Sequence, residues 1–237
     1  MNYYGYGYGY GMDFTYILVI LGVVICGIAS LNVKSTYAKY SKIMNARGYT
    51  AQDVAAMILK GAGIYDVTIS RVGGDLTDHY SPKEKVLRLS DTVYDSRSVA
   101  AIGVAAHECG HAIQHAQNYM PLSLRSAAIP VANIGSTMSY PIILIGLLFG
   151  LTPFVKIGAA LFALVVFVQF VTLPVEFNAS ARALKILQSS NILEGNENKG
   201  AKDVLTAAAL TYVAALVSSL LQLARLLILS RSSRRRR

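Results

Sequence analysis

Charged residues are scarce in this chain of 237 residues. Asp, Glu, Lys and Arg make up 15% of it, whereas hydrophobic residues make up 54%. A typical soluble domain carries a charge at about a quarter of its positions. The composition therefore excludes an ordinary soluble protein and predicts a chain that is largely embedded in a membrane.

Cysteine is scarce too, and its two positions differ in kind. Cys26 lies in a long apolar run, whereas Cys109 lies between two histidines. Two cysteines in such different settings argue against a structural disulfide.

The net charge of +9 raises the question of a nucleic-acid partner. Eleven Lys and Arg residues lie between residues 34 and 126, but eight acidic residues are mixed with them. The one dense basic cluster is the C-terminal tail, with Arg231 and Arg234 to Arg237. A short basic run beside an apolar helix is typical of contact with anionic lipids. We therefore expect the lipid bilayer as a partner and no nucleic acid.

Long apolar runs supply the membrane segments. Residues 14–33 carry no charge, are long enough to cross a bilayer and lack the features of a cleaved secretory signal, so we expect a retained anchor. Residues 127–174 contain two further runs, which predict a transmembrane hairpin. Residues 204–237 add a less apolar, membrane-associated helix and the basic tail. Three to four membrane-embedded helices are expected.

The remaining segments are more polar. Residues 1–13 form a Tyr/Gly arm, which we expect to be flexible and to lie near the lipid headgroups. Residues 34–126 form the main segment outside the membrane. Residues 175–203 predict a helix and a loop after the hairpin.

The segment 34–126 is predicted to fold as helix, strand, strand and helix. Thr50 begins the first helix with a capping box, and strand-like residues follow at 64–72 and 85–90. These two segments predict a short β-hairpin or small sheet. Residues 85–90 could bind an extended substrate at a sheet edge, or could be an ordinary strand covered by its partner. From Ser98 to Pro121 no helix breaker occurs, which predicts a long second helix.

His107, Glu108 and His111 carry the chemistry, because they form the pattern HExxH in this second helix. Positions i and i+4 differ by about 40° around a helix and about 6 Å along it, so both rings can bind one metal ion. Glu108 is then placed to accept a proton from a metal-bound water. Cys109 points to the opposite side of the helix, so we expect it to pack rather than to bind metal.

A catalytic zinc site usually needs a third protein ligand. His115 lies roughly 12 Å from His107 along the helix, too far to share an ion. The candidates are His79 and a carboxylate, of which Glu176 directly follows the membrane hairpin. An acidic residue at a helix start can also simply interact with the helix dipole. Topology favours Glu176, because the hairpin returns the chain to the side of the metal helix.

The distribution of basic residues predicts the orientation in the membrane. Residues 1–13 contain no Lys or Arg, whereas residues 34–126 contain eleven. The positive-inside rule therefore places the N-terminus outside and the metal helix in the cytoplasm. A crossing helix over residues 204–230 would put the arginine tail outside, so we expect this helix to be embedded without crossing.

Three segments of the chain resemble a known family. AAHECGHAIQH, the upstream LTDHYSP with KVLRLS, and the downstream LPVEFNASARAL are similar to the neutral zinc metallopeptidases of bacterial membranes, the YugP-like group. The resemblance implies a multi-pass protein of the bacterial cell membrane. Its fold would be mainly α (α+β), with a small gluzincin-like catalytic domain. One Zn²⁺ per chain would be held by His107, His111 and Glu176, with Glu108 as the general base.

The plan also resembles HtpX-type membrane gluzincins, in which HExxH and a glutamate ligand flank two spans. Those enzymes carry an aspartate four residues after the ligand glutamate, where this chain has Ser180. A hydroxyl group binds a histidine ring more weakly than a carboxylate does, so the rings here need a different support.

The resulting hypothesis is a membrane-bound zinc metalloendopeptidase that hydrolyses peptide bonds of membrane or membrane-proximal proteins. His79, Tyr80 and Arg182 are candidates to stabilise the oxyanion, with His79 first among them. The alternative is a catalytically silent zinc-binding membrane scaffold or adaptor. An intramembrane protease is disfavoured, because polar residues flank the HExxH helix. A homo-oligomer and a membrane regulator stay open as partners.

Overall fold

The computed structural model describes residues 14–232 of the chain. The expected N-terminal arm and the last five residues of the basic tail lie outside the described residues. The fold class is confirmed, because the described chain is mainly helical with one small sheet. In chain order the elements are α1 (Tyr16–Tyr40), α2 (Ala51–Gly61), β1 (Thr68–Val72), β2 (His79–Ser81), β3 (Val86–Ser90), α3 (Val99–Ala116), α4 (Met120–Leu148), α5 (Thr152–Ser189) and α6 (Asn196–Ser232).

Four of these helices, α1, α4, α5 and α6, are long and apolar enough to cross a membrane. Helices α4 and α5 form the predicted hairpin and meet in a tight turn around Gly150, whose φ of +67° lies in the region that favours glycine. The described chain therefore has four candidate spans, at the upper end of the expected number.

Helix α6 is longer than predicted and lies antiparallel to α1. At one end of the pair, the Tyr40 hydroxyl donates to Asp203 Oδ2 over 2.6 Å. At the other end, the Arg225 guanidinium lies 4.2 Å from the centre of the Tyr16 ring. Helix α6 therefore accompanies α1 along its whole length, including the apolar part.

The domain outside the candidate spans has its own apolar core. Helix α2 begins with the predicted capping box, in which the Thr50 side chain accepts from the Asp53 amide. Leu87 and Leu89 of β3 are fully buried and belong to the same core cluster as Ile102 of α3. The cluster also includes residues near the end of α5 and the start of α6, so it joins this domain to two of the membrane helices.

The predicted small sheet is present, but its strands pair differently from the expected hairpin. Strands β1 and β3, which correspond to the two predicted segments, are parallel neighbours. The turn-rich segment between them contains a third strand, β2, which pairs antiparallel with β3. The strand order is β1-β3-β2, so β3 is central. Of the two alternatives for residues 85–90, a sheet edge is therefore wrong and a covered strand is confirmed, because β3 has a partner on both sides.

Helix α5 carries the chain from the membrane into the domain without a break. We expected a new helix to begin near Glu176 after the third apolar run, but α5 continues through Pro174. A proline removes one backbone hydrogen bond, a loss that long membrane helices tolerate when neighbours and local adjustments compensate. The continuous helix places Glu176 just beyond the apolar run of α5.

Helices α3 and α5 approach closely at Gly110. A Cβ atom at this position would lie 2.6 Å from the backbone oxygen of Ala179. Only a glycine can be accommodated at this separation without moving one of the helices. The HExxH helix is thereby held directly against the part of α5 that carries Glu176.

We predict that Gly110→Ala destabilises the domain by about 1–3 kcal/mol, because the added methyl group must push α3 and α5 apart. Thermal unfolding of the full chain in detergent micelles measures the effect. Gly61→Ala is the matched control, because a Cβ atom there meets nothing within 4 Å. Equal stability of the two variants would contradict the proposed close contact.

Candidate metal centre

Three side chains that can bind metal converge between α3 and α5. His107 and His111 lie one turn apart on α3, and Glu176 faces them from α5. The Oε2 atom of Glu176 lies 3.2 Å from Nε2 of His107 and 3.5 Å from Nε2 of His111. The candidate ligand atoms of the three residues all lie within 4.8 Å of one another. The structure thus brings together the HExxH pair and the carboxylate that topology favoured.

These separations fit a zinc ion. In a tetrahedral site with ligand atoms about 2.0–2.1 Å from the ion, two ligand atoms lie about 3.3 Å apart. The two observed distances from Glu176 Oε2 lie on either side of this value. Two imidazoles and one carboxylate are also a common ligand set of catalytic zinc, which leaves a fourth position open.

Gln114 fixes the ring of His111. Its Oε1 atom lies 3.0 Å from Nδ1 of His111, while its Nε2 atom donates to the Val175 carbonyl and to Asn178. Because the amide nitrogen is used in this way, Oε1 must accept a hydrogen bond that the Nδ1–H group of His111 donates. The Nε2 lone pair of His111 is then free to bind a metal ion.

Ser180 performs the corresponding task for His107. Its Oγ atom lies 3.1 Å from Nδ1 of His107, one turn after Glu176 on α5. This is the position where HtpX-type enzymes carry an aspartate. The support for the rings is therefore built from a hydroxyl group at His107 and a buried amide at His111.

Arg125 neutralises the buried carboxylate of Glu176. Glu176 is only 2% exposed, and its Oε1 atom accepts from Nη1 of Arg125 over 3.1 Å. A buried carboxylate needs such a partner, because burial alone strongly disfavours its charge. The salt bridge occupies one carboxylate oxygen and leaves the other to face the two imidazoles.

Glu108 lies beside the three candidate ligands and is held by the sheet. It is 8% exposed, and its Oε2 atom accepts a hydrogen bond from the backbone amide of Tyr80 in β2 over 3.0 Å. The edge strand therefore orients the carboxylate that HExxH places next to the metal-binding face.

The electrostatic field of this cluster favours a bound cation. Burial lowers the pKa of His111, but its contact with Glu176 and the charges of Glu108 and Glu176 outweigh that effect and raise the pKa above its ordinary value. The carboxylates that attract a proton to this ring attract a divalent cation for the same reason.

Two cavities border the candidate centre, and they differ in the polarity of the residues that line them. One has a volume of about 210 Å³ and is enclosed largely by apolar residues of α1, α3 and α6. The other, of about 290 Å³, lies between β2, α3 and α4 and contains more polar residues, including Arg125. Asp78, Glu108 and Tyr212 border both cavities. These three residues therefore lie between the two cavities, and the cluster has one cavity on either side of Glu108.

The three candidates for oxyanion stabilisation lie in different places. His79 borders the polar cavity, with its Nδ1 atom 2.8 Å from the Thr77 carbonyl. It lies in strand β2, whereas the sequence predicted a connection between the strand segments 64–72 and 85–90 at this position. Tyr80 also borders this cavity, but its hydroxyl group contacts His115, 2.9 Å away. Arg182 donates to Gln117 at the end of α3 and to Asn178 on its own helix, so these contacts do not support the role considered for it.

The fully buried Cys109 thiol packs beneath α2 and contacts the Ala55 carbonyl, as expected for a packing residue. Burial raises its pKa, which disfavours the thiolate that would bind metal.

Sequence reasoning missed three side chains of the site. Gln114 follows His111 by three residues on one helical face, so its spacing was an available signal. Arg125 is a lone charge at the beginning of an apolar run, which is a weaker signal. Tyr212 has no local signal, because α6 brings it to Glu176 from a distant part of the sequence.

Two comparisons relate the whole chain to known proteins. Residues 15–231 match the family model described as "Putative neutral zinc metallopeptidase". A protein of Bacillus subtilis (strain 168), "Putative membrane protease YugP", is 46% identical over 201 residues, which cover 85% of this chain and 89% of the relative. No solved structure matches the chain. Because the family model spans nearly the whole chain, this protein belongs to the family that the model describes.

Proposed function

We propose that this protein is a membrane-bound zinc endopeptidase of the gluzincin type. His107, His111 and Glu176 would hold one Zn²⁺, and Glu108 would be the general base. The observation that carries the proposal is the convergence of two imidazole Nε2 atoms and one carboxylate oxygen within 4.8 Å. The position of Glu108 next to them, in the lining of two cavities, supports catalysis rather than a closed structural site.

The residues of the chain have distinct tasks in the proposed reaction. When bound, zinc would act as a Lewis acid toward the scissile carbonyl and would make water more acidic. Glu108 would accept a proton from the attacking water and pass it to the leaving amine. The Tyr80 amide would keep this carboxylate in position through its hydrogen bond. His79, at the wall of the polar cavity, remains our first candidate to stabilise the oxyanion.

The site supports an extended peptide as the substrate. Strand β2 is at the edge of the sheet, borders the polar cavity and contacts Glu108 through Tyr80. An extended chain that pairs with this edge would pass directly beside the general base. Substrate binding at a sheet edge, which was one of two alternatives for residues 85–90, is therefore proposed for β2.

The long helices support a site at the membrane surface. Glu176 lies on α5 just beyond its apolar run, and Tyr212 reaches the site from α6. From the sequence we expected α6 to be embedded without crossing, but because it accompanies α1 along its length we propose instead that α1, α4, α5 and α6 all cross the bilayer. The site would then face the cytoplasm, because residues 34–126 carry eleven basic residues and residues 175–203 carry four more. Membrane proteins and their adjacent loops would be the accessible substrates.

We predict that Glu108→Gln lowers the rate of peptide hydrolysis by about 10²–10⁴-fold, because the amide cannot accept the proton. The measurement is cleavage of casein or a membrane-protein substrate by the zinc-loaded full chain. Zinc content should stay unchanged. Glu84→Gln, which alters an exposed carboxylate on the same domain, should retain full activity. Hydrolysis at the wild-type rate in Glu108→Gln would support the silent scaffold instead.

We predict that Glu176→Ala removes most of the bound zinc, because only two imidazole ligands remain and Arg125 loses its partner. Elemental analysis by mass spectrometry after dialysis measures the zinc per chain, which should be one for the wild type. Glu194→Ala, at an exposed carboxylate, is the control. Equal zinc content in both variants would remove Glu176 from the ligand set.

The proposed topology predicts the accessibility of single cysteines in a chain that carries Cys26→Ala. A membrane-impermeant thiol reagent added outside intact cells should label Phe149→Cys and Arg231→Cys, which lie at the same end of the helix bundle. Asp75→Cys should react only after permeabilisation. Labelling of Phe149→Cys without Arg231→Cys would show that α6 does not cross.

A further inference from the structure

The apolar cavity beside the candidate metal centre is built by the membrane helices. Its walls include Val33 of α1, Val104 of α3 and a strip of small and aliphatic residues on α6. His107, Glu108 and Glu176 also line it. The cavity thus extends from the groups that would carry out the reaction toward the apolar parts of α1 and α6.

Two small residues determine how much space this cavity offers. Ala208 and Ala209 of α6 line it, and larger side chains at either position would occupy part of its volume of about 210 Å³. An apolar protein cavity of about 150 Å³ is enough to hold a benzene molecule. The space beside the site is therefore sufficient for one side chain of the size of Leu or Phe.

The chemistry of the cavity favours an uncharged occupant. Apart from the residues at the metal centre and Asp78, its lining is apolar or aromatic. Asp78 already accepts hydrogen bonds from the amide and hydroxyl groups of Ser90. A charged side chain would lose its hydration without finding enough hydrogen-bond or ion-pair partners. Burial of an aliphatic side chain, in contrast, lowers the free energy.

We propose that this cavity is a specificity pocket for an aliphatic side chain of the residue next to the scissile bond. This inference rests on the proposed peptidase function. Glu108 lines the apolar cavity as well as the polar one, so a side chain adjacent to a carbonyl group placed beside Glu108 can enter the apolar cavity. Peptide bonds next to Leu, Ile, Val or Met would be the preferred substrates.

A substitution at Ala208 tests the pocket directly. The full-length, zinc-loaded chain in detergent is given a mixed peptide library, and mass spectrometry identifies the cleaved bonds. We expect enrichment of large aliphatic residues at one position next to the cleaved bond. In Ala208→Leu the larger side chain fills part of the pocket. The ratio of cleavage next to Leu to cleavage next to Ala should therefore fall by about tenfold or more, because a single methylene group can change selectivity in an apolar pocket by that much. Ala224→Leu, at an exposed position of the same helix, should leave the preference unchanged.

A second variant changes the pocket in the opposite direction. Val33→Ala removes two methyl groups from the α1 wall at a half-buried position and should shift the preference toward Phe. It adds no atoms, so it tests the pocket without overpacking the helix pair.

The outcomes separate this inference from the proposed function. Cleavage that is absent in the wild type, or unchanged in Glu108→Gln, would contradict the peptidase function itself. Cleavage that depends on Glu108 but keeps the same side-chain preference in both Ala208→Leu and Val33→Ala would overturn the pocket alone. A preference for Lys or Arg next to the cleaved bond would also overturn the proposed aliphatic pocket, because the acidic residues that line the cavity would then dominate recognition.

Discussion

The close contact between α3 and α5 determines the geometry of the whole site. Gly110 lies inside the HExxH motif, and its missing side chain lets the backbone of α5 pass directly against α3. Glu176, one turn before this contact, then reaches the two histidine rings. The first part of α5 is an apolar candidate span. The same contact therefore places the site near the end of that span.

The polar side chains around this contact each have a hydrogen-bond partner. Gln114 and Ser180 hold the two rings, Arg125 holds the carboxylate, and the Tyr80 amide holds Glu108. Buried polar groups are stable only when each has a partner, so such a set of contacts is also rigid. These contacts orient the Nε2 atoms of His107 and His111 and the Oε2 atom of Glu176 toward one another.

Local patterns in the sequence predicted much of this architecture, because they depend on neighbouring residues alone. HExxH, the capping box at Thr50 and the long apolar runs all correspond to features of the structure. Strand β2 was missed because three residues in a turn-rich segment show no clear alternation. The continuity of α5 was missed because Pro174 resembles a helix end. Tyr212 could not be predicted, since only the packing of α6 brings it to the site.

X-ray absorption spectroscopy at the zinc edge of the purified full chain tests the central claim most directly. The account predicts one zinc ion with only nitrogen and oxygen neighbours at about 2.0–2.2 Å, and with the outer-shell scattering of two imidazole rings. A sulfur neighbour at about 2.3 Å, or scattering from fewer than two imidazoles, would contradict the convergence of His107, His111 and Glu176 on one ion.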